Sequence, residues 1–308
     1  MALNFCLVGL GKHGKNRLFP QILKSKANLV AVVTSQEVYI SKRITCFKDL
    51  SDASLNLEKN TIFVLSTPPK VHQSQLIFLL KKGFSVITEK PSLISKHFYL
   101  KYSRFKKNNK QFLYENFMYE ETIMYKKFLK KFNSNKNKIK CIEMNFLIPE
   151  FPKKSFRDNS ILIENIIFDI ACYPLNLLNK IINFKITKYQ KIKIKKNIIE
   201  IIIQVEKILV KIKVGINNLY QNNLYLIFDN NEIFKYDYFF YGVEKNKTIS
   251  RGNKKSHLTI IENIQDKNAF LSVFNKNRKF FFDNQCINKI LLKNLSDMLY
   301  LKKLSKNS

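Results

Sequence analysis

A chain of 308 residues, 45% of them hydrophobic, has enough apolar material for two domains with separate cores and too much for a disordered polypeptide. Its net charge of +31 would suit a nucleic-acid binder, but the lysines run along the whole length among an excess of Asn and Ile, and no RNA-binding aromatic motif or helix-turn-helix stands out; no nucleic-acid partner is expected. Five cysteines without a CxxC pair (Cys6, Cys46, Cys141, Cys172, Cys286), four scattered histidines and no uninterrupted apolar segment predict a cytoplasmic protein without disulfides, metal or membrane span.

Phe5 to Val8 reads as a short buried strand, Arg17 to Lys24 as a helix and Leu29 to Val33 as a second strand. Between the first two lies Gly9-Leu-Gly11-Lys-His-Gly14. Within such a βαβ unit each glycine has its own reason: Gly9 for a tight turn, Gly11 for close approach of a pyrophosphate, and Gly14 for close packing of helix on sheet. The helix that follows offers unpaired N–H groups to phosphates. Lys12 and His13, inside the motif, are expected to line that region. A third strand spans Thr61 to Leu65, a helix about Val71 to Lys82 ends at Gly83 in a position suited to left-handed backbone, and strand, helix and strand follow at Ser85 to Ile87, Ser95 to Lys107 and Gln111 to Tyr114. Alternation of this kind predicts an α/β, Rossmann-type dinucleotide-binding domain over residues 1–117.

The remainder, 118–308, changes character. A helix from Glu120 to Phe132, a strand from Ile139 to Ile148, a Pro-containing irregular stretch and a helix from Ile161 to Ile182 precede β-rich runs at Ile186 to Ile192, Ile198 to Val205, Ile208 to Ile216, Leu224 to Asp229 and Ile233 to Tyr238. Strands without intervening helices predict an α+β substrate and oligomerisation domain with a mostly antiparallel open sheet. Helices at His257 to Phe274 and Asn284 to Leu301 close the chain, and C-terminal helix is expected to return to the first domain.

Cofactor choice is read at the end of the second strand, Val33-Thr34-Ser35-Gln36. An NAD site usually carries an acid there for the ribose 2′-hydroxyl. Thr34 and Ser35 instead accept a 2′-phosphate, with Lys42 or Arg43 to neutralise it, so the balance favours NADP over NAD. Glu37 is the counterweight, one small register shift away.

Val64-Leu-Ser-Thr-Pro-Pro-Lys-Val-His72, Gly83-Phe-Ser-Val-Ile-Thr-Glu-Lys-Pro91, Tyr114-Glu-Asn-Phe-Met118, Phe156-Arg157 and Phe168-Asp-Ile-Ala-Cys-Tyr-Pro174 together resemble the Gfo/Idh/MocA oxidoreductases, the glucose–fructose oxidoreductase and inositol dehydrogenase group. The resemblance implies NAD(P)-dependent hydride transfer to or from a secondary alcohol or ketone of a sugar, polyol or nucleotide-linked sugar, with surface-polysaccharide sugar pathways as a setting, and a homo-oligomer. It places Ser66, Thr67, Pro68, His72 and Glu89 at the cofactor and Lys90 beside the nicotinamide, where an ammonium hydrogen-bonds the substrate oxygen. Asp169 and Tyr173, four apart on one helical face, match the family's polar pair. Tyr173 would exchange the hydroxyl proton, its pKa lowered by Lys90, and Asp169 would orient substrate or lysine. Asn116 and Arg157 complete the expected substrate contacts. The family's glycine-rich turn before the aspartate is missing: Leu162-Ile-Glu-Asn-Ile-Ile-Phe168 stands there, which puts turnover in doubt more than cofactor binding. The alternatives are a non-catalytic dinucleotide-sensing regulator on the same scaffold and a reductase of an imine or linear tetrapyrrole.

Overall fold

The computed structural model describes residues 2–37, 42–105, 111–150, 162–182, 189–216, 218–284 and 288–306. The chain divides into two units, Met1–Phe117 with Phe270–Leu295, and Met118–Ala269 with Ser296–Ser308.

The first unit is built on a parallel sheet of β1 (Asn4–Val8), β2 (Asn28–Val33), β3 (Thr45–Phe47), β4 (Ile62–Leu65), β5 (Ser85–Glu89) and β6 (Leu113–Asn116), in the order β3-β2-β1-β4-β5-β6. Helices cover both faces of such a sheet, so its central strands are near-continuous apolar runs; all four residues of β4 are buried. A π-helical turn at Gly14–Leu18 leads into α1 (Phe19–Lys24), and α2 (Leu50–Asn56), α3 (Pro69–Lys81) and α4 (Lys96–Phe105) follow. The sequence reading missed β3 and α2. The strand has only three residues, too few for periodicity, but α2 carried a readable start in Asp49, whose carboxylate accepts a hydrogen bond from the Asp52 N–H at 2.9 Å. Gly83 closes α3 at φ +84°, with Phe84 N–H donating to Leu79 O at 3.0 Å and Gly83 N–H to Leu80 O at 3.1 Å.

Three late segments complete this unit: α8 (Ala269–Phe274), of which all but Ala269 belongs here, α9 (Arg278–Asp283) and the first half of α10 (Asn288–Ser305). Phe274 meets the edge of Phe5 at 5.5 Å between ring centroids, and Phe281 stacks on Phe112 at 5.2 Å. Arg278 donates to Asn60 O at 3.0 Å.

In the second unit an eight-stranded sheet runs β14-β13-β12-β11-β7-β10-β9-β8, made of β7 (Ile139–Ile148), β8 (Tyr189–Lys195), β9 (Ile198–Val205), β10 (Ile208–Ile216), β11 (Gln221–Phe228), β12 (Ile233–Asp237), β13 (Lys245–Lys254) and β14 (His257–Asp266). Every neighbouring pair is antiparallel except β7 with β10. Alternation sorts the faces: Ile208, Val210, Ile212 and Val214 of β10 are buried, whereas Lys211 and Lys213 on the opposite face pair with Glu143 at 3.5 Å and Glu200 at 3.2 Å. Helix α5 (Ile123–Asn135) starts at a Thr122 cap, three residues later than its apolar periodicity suggests, because Met118–Glu121 forms a 3-10 turn.

Two expectations are corrected. The predicted helix over 257–274 is β14 followed by the short α8. Leu258, Ile261 and Ile264 mimic a helical stripe, but a bulge leaves Ile261 without a partner between the Ser250–Ile260 and Ile249–Glu262 pairs, which breaks the two-residue alternation a strand would show. Its partner β13 is polar (Lys-Asn-Lys-Thr-Ile-Ser-Arg-Gly-Asn-Lys) and gave no signal. The predicted single helix over 161–182 is three pieces: α6 (Leu162–Asn165), a π-helical segment at Ile166–Ala171 and α7 (Cys172–Ile181). Pro174, which has no N–H to donate, is the third residue of α7, just after the π-helical segment.

One buried ion pair fastens this unit. Lys247 and Asp266, 0% and 1% exposed, lie 2.9 Å apart; Lys247 also donates to Tyr241 O, and Asp266 accepts the Ile123 N–H that opens α5. Burial pulls the Lys247 ammonium below its ordinary pKa, against the opposing effect of Asp266.

Candidate functional site

Ligands of open parallel sheets bind outside the carboxyl ends of the strands where strand order reverses, here between β1 and β4. Gly9 follows β1 at φ +93°, and its N–H donates to Val33 O at 2.9 Å, while Ser66 N–H donates to Val8 O at 2.9 Å. A Cβ at Gly14 would lie 2.1 Å from Gly9 O, and one at Gly9 would lie 2.9 Å from Thr67 Cγ2. These two glycines are therefore required by the protein's own packing. Gly11 is not: a Cβ there meets no atom within 4 Å. Glycine at that point is explained by something approaching from outside, as a pyrophosphate does.

The first helical hydrogen bond after the motif runs from Lys15 N–H to Gly11 O at 2.9 Å, so the N–H groups of Lys12, His13 and Gly14 have no acceptor within the helix. Ser66 Oγ, 3.0 Å from where a Gly14 Cβ would sit, and Asn116 Oδ1 are buried without a hydrogen-bond partner. Open space beside Gly11, three N–H donors and two unmatched polar atoms at the strand ends fit a dinucleotide.

Glu89 ends β5 and gathers the neighbouring loops. His13 Nε2 lies 3.6 Å from its carboxylate, and Asn116 Nδ2 donates to Glu89 Oε1 at 3.1 Å. Burial pushes the Glu89 carboxyl up, but His13, Lys90 and the Asn116 amide together outweigh it and hold the group below its ordinary pKa. The His13 ring also meets Phe270 edge-on at 5.6 Å between centroids, a contact from the late-returning segment that local sequence could not reveal.

Lys90 follows directly, half-buried, ahead of Pro91. Its turn is pinned from two sides. Ser92 N–H donates to Glu115 Oε1 at 2.6 Å, and His72 Nε2 lies 2.8 Å from Pro91 O. Sequence reasoning assigned Glu115 no role; its only signal was the place between Tyr114 and Asn116 on β6. For His72 the expectation was a helix residue on the cofactor side, with a purely structural role as the alternative. Its ring is wholly buried, with Nδ1 3.0 Å from Thr67 O as well, so both nitrogens face main-chain carbonyls. Burial is the strongest influence on His72 and lowers its pKa, more than the two carbonyls and Glu89 raise it. Thr67 gives its hydroxyl to Gln75 Oε1 at 2.6 Å, and Pro68 accepts the His72 N–H at 2.9 Å, which fixes the turn from β4 into α3.

At the end of β2, Thr34 N–H donates to Phe47 O at 3.0 Å and Thr34 Oγ1 accepts the Gln36 N–H at 3.2 Å. This hydroxyl turn leaves Ser35, Gln36 and Glu37 exposed, with Glu37 3.9 Å from Lys48.

In the second unit Asp169 lies inside the π-helical segment and Tyr173 in the first turn of α7. The expectation set them along the edge of a regular helix. Instead both are buried, at 7% and 4% exposure, and the Tyr173 ring packs among Phe146, Phe240 and Tyr119 at 5.3, 5.9 and 6.1 Å between centroids. The π turn explains part of the difference, because its wider spacing rotates residues four apart away from α-helical alignment. Asn176, one turn on, donates to Tyr119 Oη at 3.0 Å and to Glu120 at 2.7 Å. Arg157 lies outside the described residues. Among the described residues no group of three His, Cys, Asp or Glu side chains is arranged to hold a metal, and no helix is long and apolar enough to cross a membrane.

Comparison with known proteins agrees with this geometry. Residues 3–100 match the model of an oxidoreductase family described as having an NAD-binding Rossmann fold. No curated protein sequence matches the chain. Among solved structures it is similar to KijD10, a 3-ketoreductase from Actinomadura kijaniata in complex with NADP and TDP-benzene, at 11% identity, 98% of this chain, 96% of that one and a TM-score of 0.75. It is also similar to the UDP-N-acetylglucosamine 3-dehydrogenase GnnA from Acidithiobacillus ferrooxidans, at 11% identity, 98% and 97% coverage and a TM-score of 0.73. At such identities the likeness is one of fold, and it spans both units.

Proposed function

From the membership of residues 3–100 in the Gfo/Idh/MocA oxidoreductase family, we propose that the chain is an NAD(P)-dependent oxidoreductase acting on a secondary alcohol or ketone of a sugar, most specifically a nucleotide-linked sugar. The observation that carries this reading is the open space at Gly11, at the carboxyl end of β1, in the same crevice region as the Glu89–Lys90 end of β5. The bound nicotinamide would supply the hydride or accept it. The chain's own part is electrostatic and acid–base. Lys90 donates a hydrogen bond to the substrate oxygen and favours the anionic form of a neighbouring hydroxyl. Tyr173 gives or takes the hydroxyl proton, and Asp169 orients the groups around it. Glu89, held anionic, supplies a fixed negative charge beside the Lys90 ammonium.

The nucleotide-sugar class is supported by what KijD10 and GnnA bind or act on, and by a net charge of +31 that draws anionic ligands. NADP is favoured over NAD because Thr34 and Ser35 stand where an acid would hold a ribose diol. Cytoplasmic location and pairing of copies belong to the same reading. The test is NADPH oxidation with a panel of nucleotide-linked keto sugars, and NADP reduction with the matching alcohols. Turnover of at least one member with a lower KM for NADPH than for NADH is expected; a strong NADH preference refutes the cofactor choice. The burial of Tyr173 favours the second reading, a dinucleotide-sensing regulator, and dinucleotide binding without turnover of any member decides for it.

A further inference from the structure

We infer that His72 is a positioning residue that sets where Lys90 is held, acting through the Pro91 carbonyl. The inference rests on the role proposed above for Lys90. His72 lies in the first turn of α3, its ring fully buried, with Nε2 2.8 Å from Pro91 O and Nδ1 3.0 Å from Thr67 O. Both partners only accept hydrogen bonds, and a neutral imidazole has one N–H to give. A charged ring would satisfy both, but burial opposes the charge, as does the nearby Lys90 ammonium, and together they outweigh the two carbonyls and Glu89, which favour it. The ring therefore serves one carbonyl at a time.

The geometry selects Pro91. Its contact is the shorter one, and the Thr67 end is held without the ring: the Thr67 hydroxyl donates to Gln75, and the N–H groups of Val71 and His72 donate to Pro68 O at 2.8 and 2.9 Å. Proline offers no N–H, so the Lys90 turn is fixed at Ser92 by Glu115 and at the Pro91 carbonyl by His72. Between those two points and the end of β5 at Glu89, the main chain of Lys90 has little freedom left, and the ammonium is aimed from a held backbone. Misplacement of a reacting group by about 1 Å costs on the order of a hundredfold in rate, so one lost anchor beside Lys90 is visible in turnover.

Two near-isosteric substitutions separate the two ends of the ring. The amide nitrogen of glutamine in His72→Gln falls where Nε2 is, and that of asparagine in His72→Asn where Nδ1 is. The measurements are kcat at saturating substrate and cofactor, NADPH affinity by calorimetry, and amide hydrogen exchange across residues 88–94. His72→Asn is expected to lower kcat about tenfold or more and to speed exchange at the Lys90 and Ser92 amides, with NADPH affinity held within about threefold. His72→Gln is expected to keep kcat within about threefold and to keep the exchange protection. Equal behaviour of the two variants overturns the inference, and so does a loss of NADPH affinity with kcat intact. Should the unsubstituted protein turn over no nucleotide sugar, the proposed reaction falls, and the exchange comparison by itself decides whether His72 holds this segment.

Discussion

Alanine at Gly11 and alanine at Gly14 look alike in sequence and should have opposite consequences. At Gly14 the new methyl group would sit 2.1 Å from Gly9 O and 3.0 Å from Ser66 Oγ. The first obstacle is main chain at the end of β1, which cannot retreat without moving the β1 loop itself. Overpacking of this kind costs about 1–3 kcal/mol, and a backbone obstacle argues for the upper end. At about 2–4 °C per kcal/mol for units of this general size, Gly14→Ala should melt about 4–12 °C below the parent. At Gly11 the methyl group meets nothing, so the change in stability is confined to helix-capping preference and stays within about 1 kcal/mol. Its cost falls on the ligand: filling the space left for a pyrophosphate should weaken NADPH binding about tenfold or more, equivalent to about 1.4 kcal/mol. Thermal melts with and without NADPH, together with calorimetric titration, measure both quantities. A Gly11→Ala protein that binds NADPH like the parent, or a Gly14→Ala protein that melts with it, refutes the assignment of these glycines.

Lys90→Met should abolish turnover while NADPH affinity stays within about threefold, as expected of a group acting in the transition state; undiminished activity removes Lys90 from the chemistry. Lys247→Met strands the Asp266 carboxylate in the core and should cost about 3–5 kcal/mol by urea unfolding, and a loss below about 1 kcal/mol would mean that water reaches the site. The pH dependence of stability follows from two depressed groups. The folded pKa of His72 lies below its unfolded value, so the folded state binds fewer protons between them: its contribution is complete above about pH 6.5 and is lost as pH falls towards the folded pKa. Glu89 contributes in the same direction lower down, its share present above about pH 4.3 and lost as pH falls through the depressed value. Urea midpoints should therefore fall on acidification from neutral pH, with a shallower slope near pH 6 in His72→Gln; identical slopes count against the buried neutral ring.

The first unit was legible because each of its signals is local. Gly9 to Gly14, the apolar runs of β1, β2 and β4, and Gly83 at the end of α3 each specify geometry within a few residues. Contacts between distant positions were not legible. Phe270 against His13 and Phe281 on Phe112 join residues more than 160 positions apart, and no periodicity announces them. The misreading of β14 as helix has a specific cause, since one bulged residue converts an alternating pattern into a helical one and its partner β13 is too polar to be noticed. At the candidate site the residue types were readable but not their surroundings. The spacing of Asp169 and Tyr173 suggested a helix edge; the π-helical turn and the aromatic side chains of Phe146, Phe240 and Tyr119, drawn from three other segments, bury them instead.

The late return of residues 270–295 to the first unit bears on how the protein is made. On the ribosome, β1 to β6 emerge first, yet Phe5, Phe112 and Tyr114 wait for Phe274, Phe280 and Phe281 to cover them. At about 5–20 residues per second that interval lasts on the order of ten to thirty seconds. During it the nascent nucleotide fold presents an aromatic flank to solvent, an obvious landing place for chaperones, and a fragment ending at Phe117 would keep that flank permanently bare.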